Sequence, residues 1–296
     1  MRGSGVDFGK RMVFAKFAGM KRILTIIAAL ALTVGAFAQT VTKAQITTRK
    51  EKLSDFTVKV TKAVLTGNEL FDAGFKDAVK DAWMLSPYEF CTKDEFHSLK
   101  KDGSYYFLLV TGKEKATDAP GVLFLTLVKG DKEELADMTP VVDIPVCPTG
   151  ALSGREAFFM PALLDVMQRY VENSMVNNFA SFGSTIQGLG KAAKSKVFLD
   201  EADLSEQVGE KLRAKMLEKQ VYVVPENESE DILLGGDGSL VGYVVATAEP
   251  VKGAVCYKML FDSRTHELYY FAKHKISPRN GAGFLRSDIN KILSGR

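Results

Sequence analysis

Cysteine is scarce in this chain: Cys91, Cys147 and Cys256 are the three, and their spacing matches no Cys-x-x-Cys pair. That excludes a disulfide framework and a paired-cysteine metal or redox motif. Two readings stay open, three buried small hydrophobes or one bridge with a leftover thiol. The three histidines, His97, His266 and His274, are spread over the chain. A metal site needs at least three ligands converging on one point, so neither a metal nor a cofactor is expected. No lysine or arginine block is present, so the footprint of nucleic-acid binding is missing. The uncharged run 23–38 has 16 residues, short of the roughly 20 that cross a bilayer.

That run is instead the centre of a secretory signal. Lys21-Arg22 precede it and the small-x-small pattern Ala36-Phe37-Ala38 closes it, the order that an export signal requires. Cleavage is expected after Ala38, giving a periplasmic or secreted protein with no stable membrane span. A lipoprotein would carry a cysteine next, but Gln39 stands there. Residues 1–19 read as an upstream start or a long basic n-region. Removing 1–38 from the 296 residues leaves 258, and removes Arg2, Lys10, Arg11, Lys16, Lys21 and Arg22 against Asp7. Of 39 basic and 36 acidic residues 33 and 35 remain, so the mature chain carries a net charge of −2.

Residues 56–61 alternate apolar and polar with the period of a half-buried strand. Phe71, Phe75, Val79 and Trp83 recur at helical spacing, predicting an amphipathic helix over 69–84. A short strand at 87–91 precedes Thr92-Lys93-Asp94-Glu95, a capping box that opens a helix at 93–101. Strands follow at 105–111, 122–128 and 141–146, separated by a polar loop at 112–120 and a charged connection at 129–137. The stripe Met160, Leu163, Leu164, Met167, Val171 and Met175 predicts a long helix over 156–179, with Pro161 tolerated near its start.

Residues 181–195 are rich in Gly, Ser, Ala and Lys, a linker composition, after which the order of elements begins again. Strands are expected at 196–199, 220–224, 240–247, 254–261 and 267–276, with helices at 205–219 and 284–293. Asp102-Gly103-Ser104 falls on Asp237-Gly238-Ser239 at an offset of 135. The same offset places Glu95 on Glu230 and Leu99 on Leu234. An internal duplication is the expectation. The fold class is α/β (α+β), two similar mixed-sheet domains with helices packed on the sheet. The boundaries are an upstream segment and signal at 1–38, a first domain at 39–182, a linker at 183–195 and a second domain at 196–296.

The stretch 196–277 contains the helix segment Val208-Gly209-Glu210-Lys211-Leu212-Arg213-Ala214-Lys215-Met216, the strand Val221-Tyr222-Val223-Val224 and a hairpin from Cys256 to Phe271. Over these roughly 80 residues the pattern resembles the small envelope domains of the curli-assembly lipoprotein, the amino-terminal TolB domain and the lipoprotein activators of penicillin-binding proteins. It departs from them in lacking the lipid-bearing cysteine and the Glu-Arg ending of the strand after the first helix. The resemblance implies a non-catalytic role in envelope assembly through protein contacts.

Other motifs carry little chemistry. The stretch 185–192 has threonine and alanine where a phosphate loop needs glycine and a hydroxyl. Leu234-Gly235-Gly236-Asp237-Gly238-Ser239 has too few oxygen ligands for calcium and reads as a turn leading into a strand. Cys256 with His266 or His274 as base is conceivable across adjacent strands, yet Cys256 opens an apolar strand. Strand alternation leaves Tyr105 or Tyr270 to face outward unless helices cover both faces. Arg264, His266, Tyr270 and His274 are therefore the candidate surface for an envelope protein or a glycan. The expected function is binding of another envelope component without catalysis. A hydrolase using Glu89, Asp262 and Glu267, or a small-ligand carrier with an apolar cavity between the halves, is the alternative.

Overall fold

The computed structural model describes residues 53–112, 121–150, 154–176, 188–225, 228–249 and 251–296. The signal at 1–38 and most of the loop at 112–120 lie outside the described residues. In the first half the central strand β1 (Val60–Val64) pairs in parallel with β2 (Tyr88–Cys91) on one side and β3 (Tyr105–Thr111) on the other. Antiparallel β4 (Val122–Lys129) and β5 (Thr139–Pro148) complete a sheet of order β2-β1-β3-β4-β5. The second half repeats the plan with β6 (Val197–Asp200), β7 (Val221–Val224), β8 (Leu240–Val245), β9 (Val255–Asp262) and β10 (Leu268–Lys275), in the order β7-β6-β8-β9-β10. The chain is thus α/β with two similar mixed sheets, both within the unit Lys43–Arg296.

In the first half, α1 (Glu69–Ala82) connects β1 to β2 and α2 (Lys93–Leu99) connects β2 to β3. These crossovers run in opposite directions across β1, so right-handed connections put their helices on opposite faces. Asn68 starts α1 by accepting from the Phe71 amide at 3.0 Å, and Phe71, Phe75 and Val79 turn inward. The predicted capping box forms at α2, where the Glu95 amide donates to Thr92 and the Thr92 amide donates to Glu95.

The long helix α3 (Arg155–Val176) joins α1 on one face of the first sheet. Its buried Gln168 closes the end of α1, accepting from the Met84 and Leu85 amides and donating to the Ala82 carbonyl. The Ala82 carbonyl would otherwise be one of the orphan acceptors of a helix C-terminus. In the second half α4 (Glu210–Glu218) and α6 (Arg286–Ser294) cover one face, while α5 (Glu228–Gly235) lies on the other with α3. α3 therefore serves both sheets, and one apolar core runs from Phe75 and Tyr106 through Phe159 to Tyr243 and Phe261. Each such buried aromatic contributes on the order of 2–3 kcal/mol by leaving water.

Several expectations shift. Residues 56–58 form a 3-10 turn instead of strand, because Phe56 is drawn fully into the core against Tyr106 and Trp83. The helix expected at 205–219 begins only at Glu210, after Gly209 in an extended conformation. Of the linker 183–195, residues 183–187 lie outside the described residues. The remainder packs on the second sheet, with Ala192 buried and Leu189 against its core. All three cysteines are buried free thiols.

The 135-residue offset aligns turns but not faces. Ser104 and Ser239 each donate a backbone amide to the preceding aspartate at 2.8 Å. Yet Tyr105, the first residue of β3, packs in the cluster of α2, whereas Leu240, the first of β8, packs in the cluster of α4. A one-residue slip moves every side chain of a strand to the other face.

Candidate functional site

The carboxyl ends of the parallel strands β1 and β3 open beside α2 onto a pocket of about 550 Å³. Open sheets with parallel strands bind ligands at this end. Val64 and Leu109 form its floor together with Phe96 of α2, whose ring meets Phe107 edge-on at 5.0 Å. Leu65, Val110 and Leu123 add half-buried apolar walls. On one side Asp72 fixes the end of β1 by accepting from the Thr66 amide and hydroxyl and from the Gly67 amide, at 2.7–2.8 Å. On the other, a 3-10 turn carries Glu134, Leu135 and Ala136. That connection is tied down where the Asp131 amide donates to the Lys100 carbonyl and the Gly130 amide to the Tyr105 carbonyl. Lys93, His97 and Lys100 supply the polar rim.

The corresponding α5 face of the second sheet is closed. Arg155, at the start of α3, reaches across to Asp203 with two hydrogen bonds of 3.0 and 2.8 Å and to Asp200 at 2.6 Å. Glu230 stands 3.6 Å from its Nε, and its guanidinium lies 5.4 and 5.3 Å from the rings of Phe159 and Tyr243. Three buried carboxylates thus face one guanidinium. Burial pushes Asp203 up to about 6 even though Arg155 pulls it down.

Comparison with known protein families, curated proteins and solved structures finds no match to this chain.

The four surface candidates are dispersed. Arg264 holds the turn before β8, donating to the Gly236 and Asp237 carbonyls. His266, with φ 54°, places Nδ1 2.7 Å from Asp165 of α3. Tyr270 is buried and donates its hydroxyl to Asp288 at 2.6 Å. His274 is buried too, donating from Nε2 to the Gly281 carbonyl, and its Nδ1 has no partner. The face of β10 expected to be open carries α6, so these side chains form no single exposed surface. Tyr105 is half-buried beside α2, below Lys62.

The catalytic alternatives are no better placed. Cys256 and His274 are cross-strand partners, but burial pushes the thiol up to about 11 and lowers the imidazole. The sulfur accepts from the Gly283 amide at 3.2 Å, which leaves it a packed thiol and no nucleophile. Glu89 pairs with Lys62 on the first sheet, Asp262 accepts the Arg264 and Thr265 amides, and Glu267 accepts from Tyr269. None of the three lines the pocket. Nor does that pocket lie between the halves, where a carrier cavity was expected. Sequence reasoning missed it, although Lys93, His97 and Lys100 recur at i, i+4 and i+7, a spacing that places them on one helix face.

Proposed function

We propose that this chain is an exported, non-catalytic protein that binds another component of the bacterial envelope, and that the pocket beside α2 is where it does so. The observation that carries this reading is the contrast between the two sheets: the α5 face is filled by α3, whereas the α2 face keeps an apolar pocket with a basic rim. Concave, largely apolar sites with a few polar groups are the usual form of a binding site. The Thr66 amide and hydroxyl both donate to Asp72, which holds the turn after β1. The signal-like 1–38 segment and the resemblance of 196–277 to envelope-assembly domains support the compartment and the absence of chemistry. Crosslinking in intact cells followed by capture of the protein tests it. The natural chain should recover a specific envelope component, and Ala136→Trp, which puts an indole into the pocket from an exposed turn, should abolish recovery. No specific recovery, with turnover of a generic ester, glycoside or peptide by the purified protein, would reverse the reading.

A further inference from the structure

The rim and floor of the pocket differ enough to say what chemistry it suits. Lys93, His97 and Lys100 form one stripe along α2, about 10 Å from first to last. Neither lysine has an ion pair among the described residues, whereas the adjacent Lys101 is paired with Glu133 at 2.7 Å. Beneath the stripe the surface turns apolar at Val64, Leu109 and Leu123. Opposite it, Glu134 is an exposed carboxylate on the 3-10 wall.

We infer that this pocket holds a single-chain fatty carboxylate, its head on the Lys93–His97–Lys100 stripe and its alkyl tail on the apolar floor. The inference rests on the proposal that the pocket is the binding site and names its ligand class. Ammonium groups donate to a carboxylate in charge-assisted hydrogen bonds, about twice as strong as neutral ones. The tail is held by loss of water from its methylenes. Glu134 repels a second negative group at the far wall, which selects a mono-anion over a di-anion. A volume of about 550 Å³ lies within the range of small-ligand sites.

Isothermal titration of the purified protein with hexanoate, octanoate and decanoate, all below micellar concentration, reads this directly. Affinity should rise about fourfold per added methylene. Decanol should bind about tenfold more weakly than decanoate, and decanedioate more weakly than decanoate. In a Lys93→Glu, Lys100→Glu double variant with unchanged circular dichroism, decanoate should lose its advantage over decanol. Equal binding of decanol and decanoate, tighter binding of decyltrimethylammonium, or no saturable binding at all overturns the inference. If decanoate fails while Ala136→Trp still abolishes envelope capture, the ligand class falls and the binding reading stands. If decanoate binds but capture ignores Ala136→Trp, the pocket is not the partner site.

Discussion

The α2 face of the first sheet and the α5 face of the second occupy the same place in the same strand order, yet one is open and the other is sealed. The cause is α3. It follows β5, is 22 residues long, and is long enough to pack on α1 at the back of its own sheet and on α5 and Tyr243 of the next. Its counterpart α6 has only 9 residues and stays on its own sheet with α4. Among the described residues no further helix covers the α2 face. Similar topology in two halves therefore does not give them the same packing: one face is spent on holding the molecule together and the other keeps a pocket.

The largest test of that contrast is Arg155→Ala. Removing the guanidinium leaves Asp200, Asp203 and Glu230 buried against each other without a cation, a loss of about 3–5 kcal/mol, read as a lower denaturant midpoint. Lys100→Ala on the open face should change the same midpoint by no more than about 0.5 kcal/mol. Equal effects would mean that the two faces are not specialised.

A smaller effect is expected at Gly130, which ties the pocket wall to β3. A Cβ there would stand 2.5 Å from the Asp102 carbonyl and 2.8 Å from the Phe107 ring, so Gly130→Ala must displace the turn. We expect about 1–3 kcal/mol of destabilisation together with weaker binding at the pocket. Binding that survives unchanged would show that the wall carrying Glu134 is not part of the site.

Much of this architecture was legible in the sequence, and the reasons it stopped are physical. The capping box at Thr92 and the aspartate turns at 102 and 237 are local and formed as read. The helix Glu228–Gly235 is absent from the sequence expectations, because three acidic residues in its first turn obscure the few apolar positions that dock α5. Strand alternation assigns two faces but says nothing about which is covered. It could not tell that Tyr270 and His274 lie under α6. The pocket draws on β1, α2, β3, β4 and the turn after it, segments that meet only through the strand order.

The sealed face also carries a response to acid. On the sealed face Asp203 has its proton affinity raised in the folded protein, to about 6 from an ordinary value of 3.8. The folded state therefore binds that proton more tightly than the unfolded one, so this group's contribution to stability is full below pH 3.8 and is lost as pH rises through about 6. His274 acts in the opposite sense. Burial lowers its affinity for a proton, so its contribution is present above the ordinary value near 6.5 and declines as the solution is made more acid. Asp203→Asn removes the first contribution and leaves the second, so the wild-type unfolding midpoint should rise relative to that of the variant as pH is lowered from about 6 towards 3.8, in denaturant titrations at fixed temperature. A difference between the two midpoints that does not change over that range would mean that Asp203 keeps its charge beside Arg155.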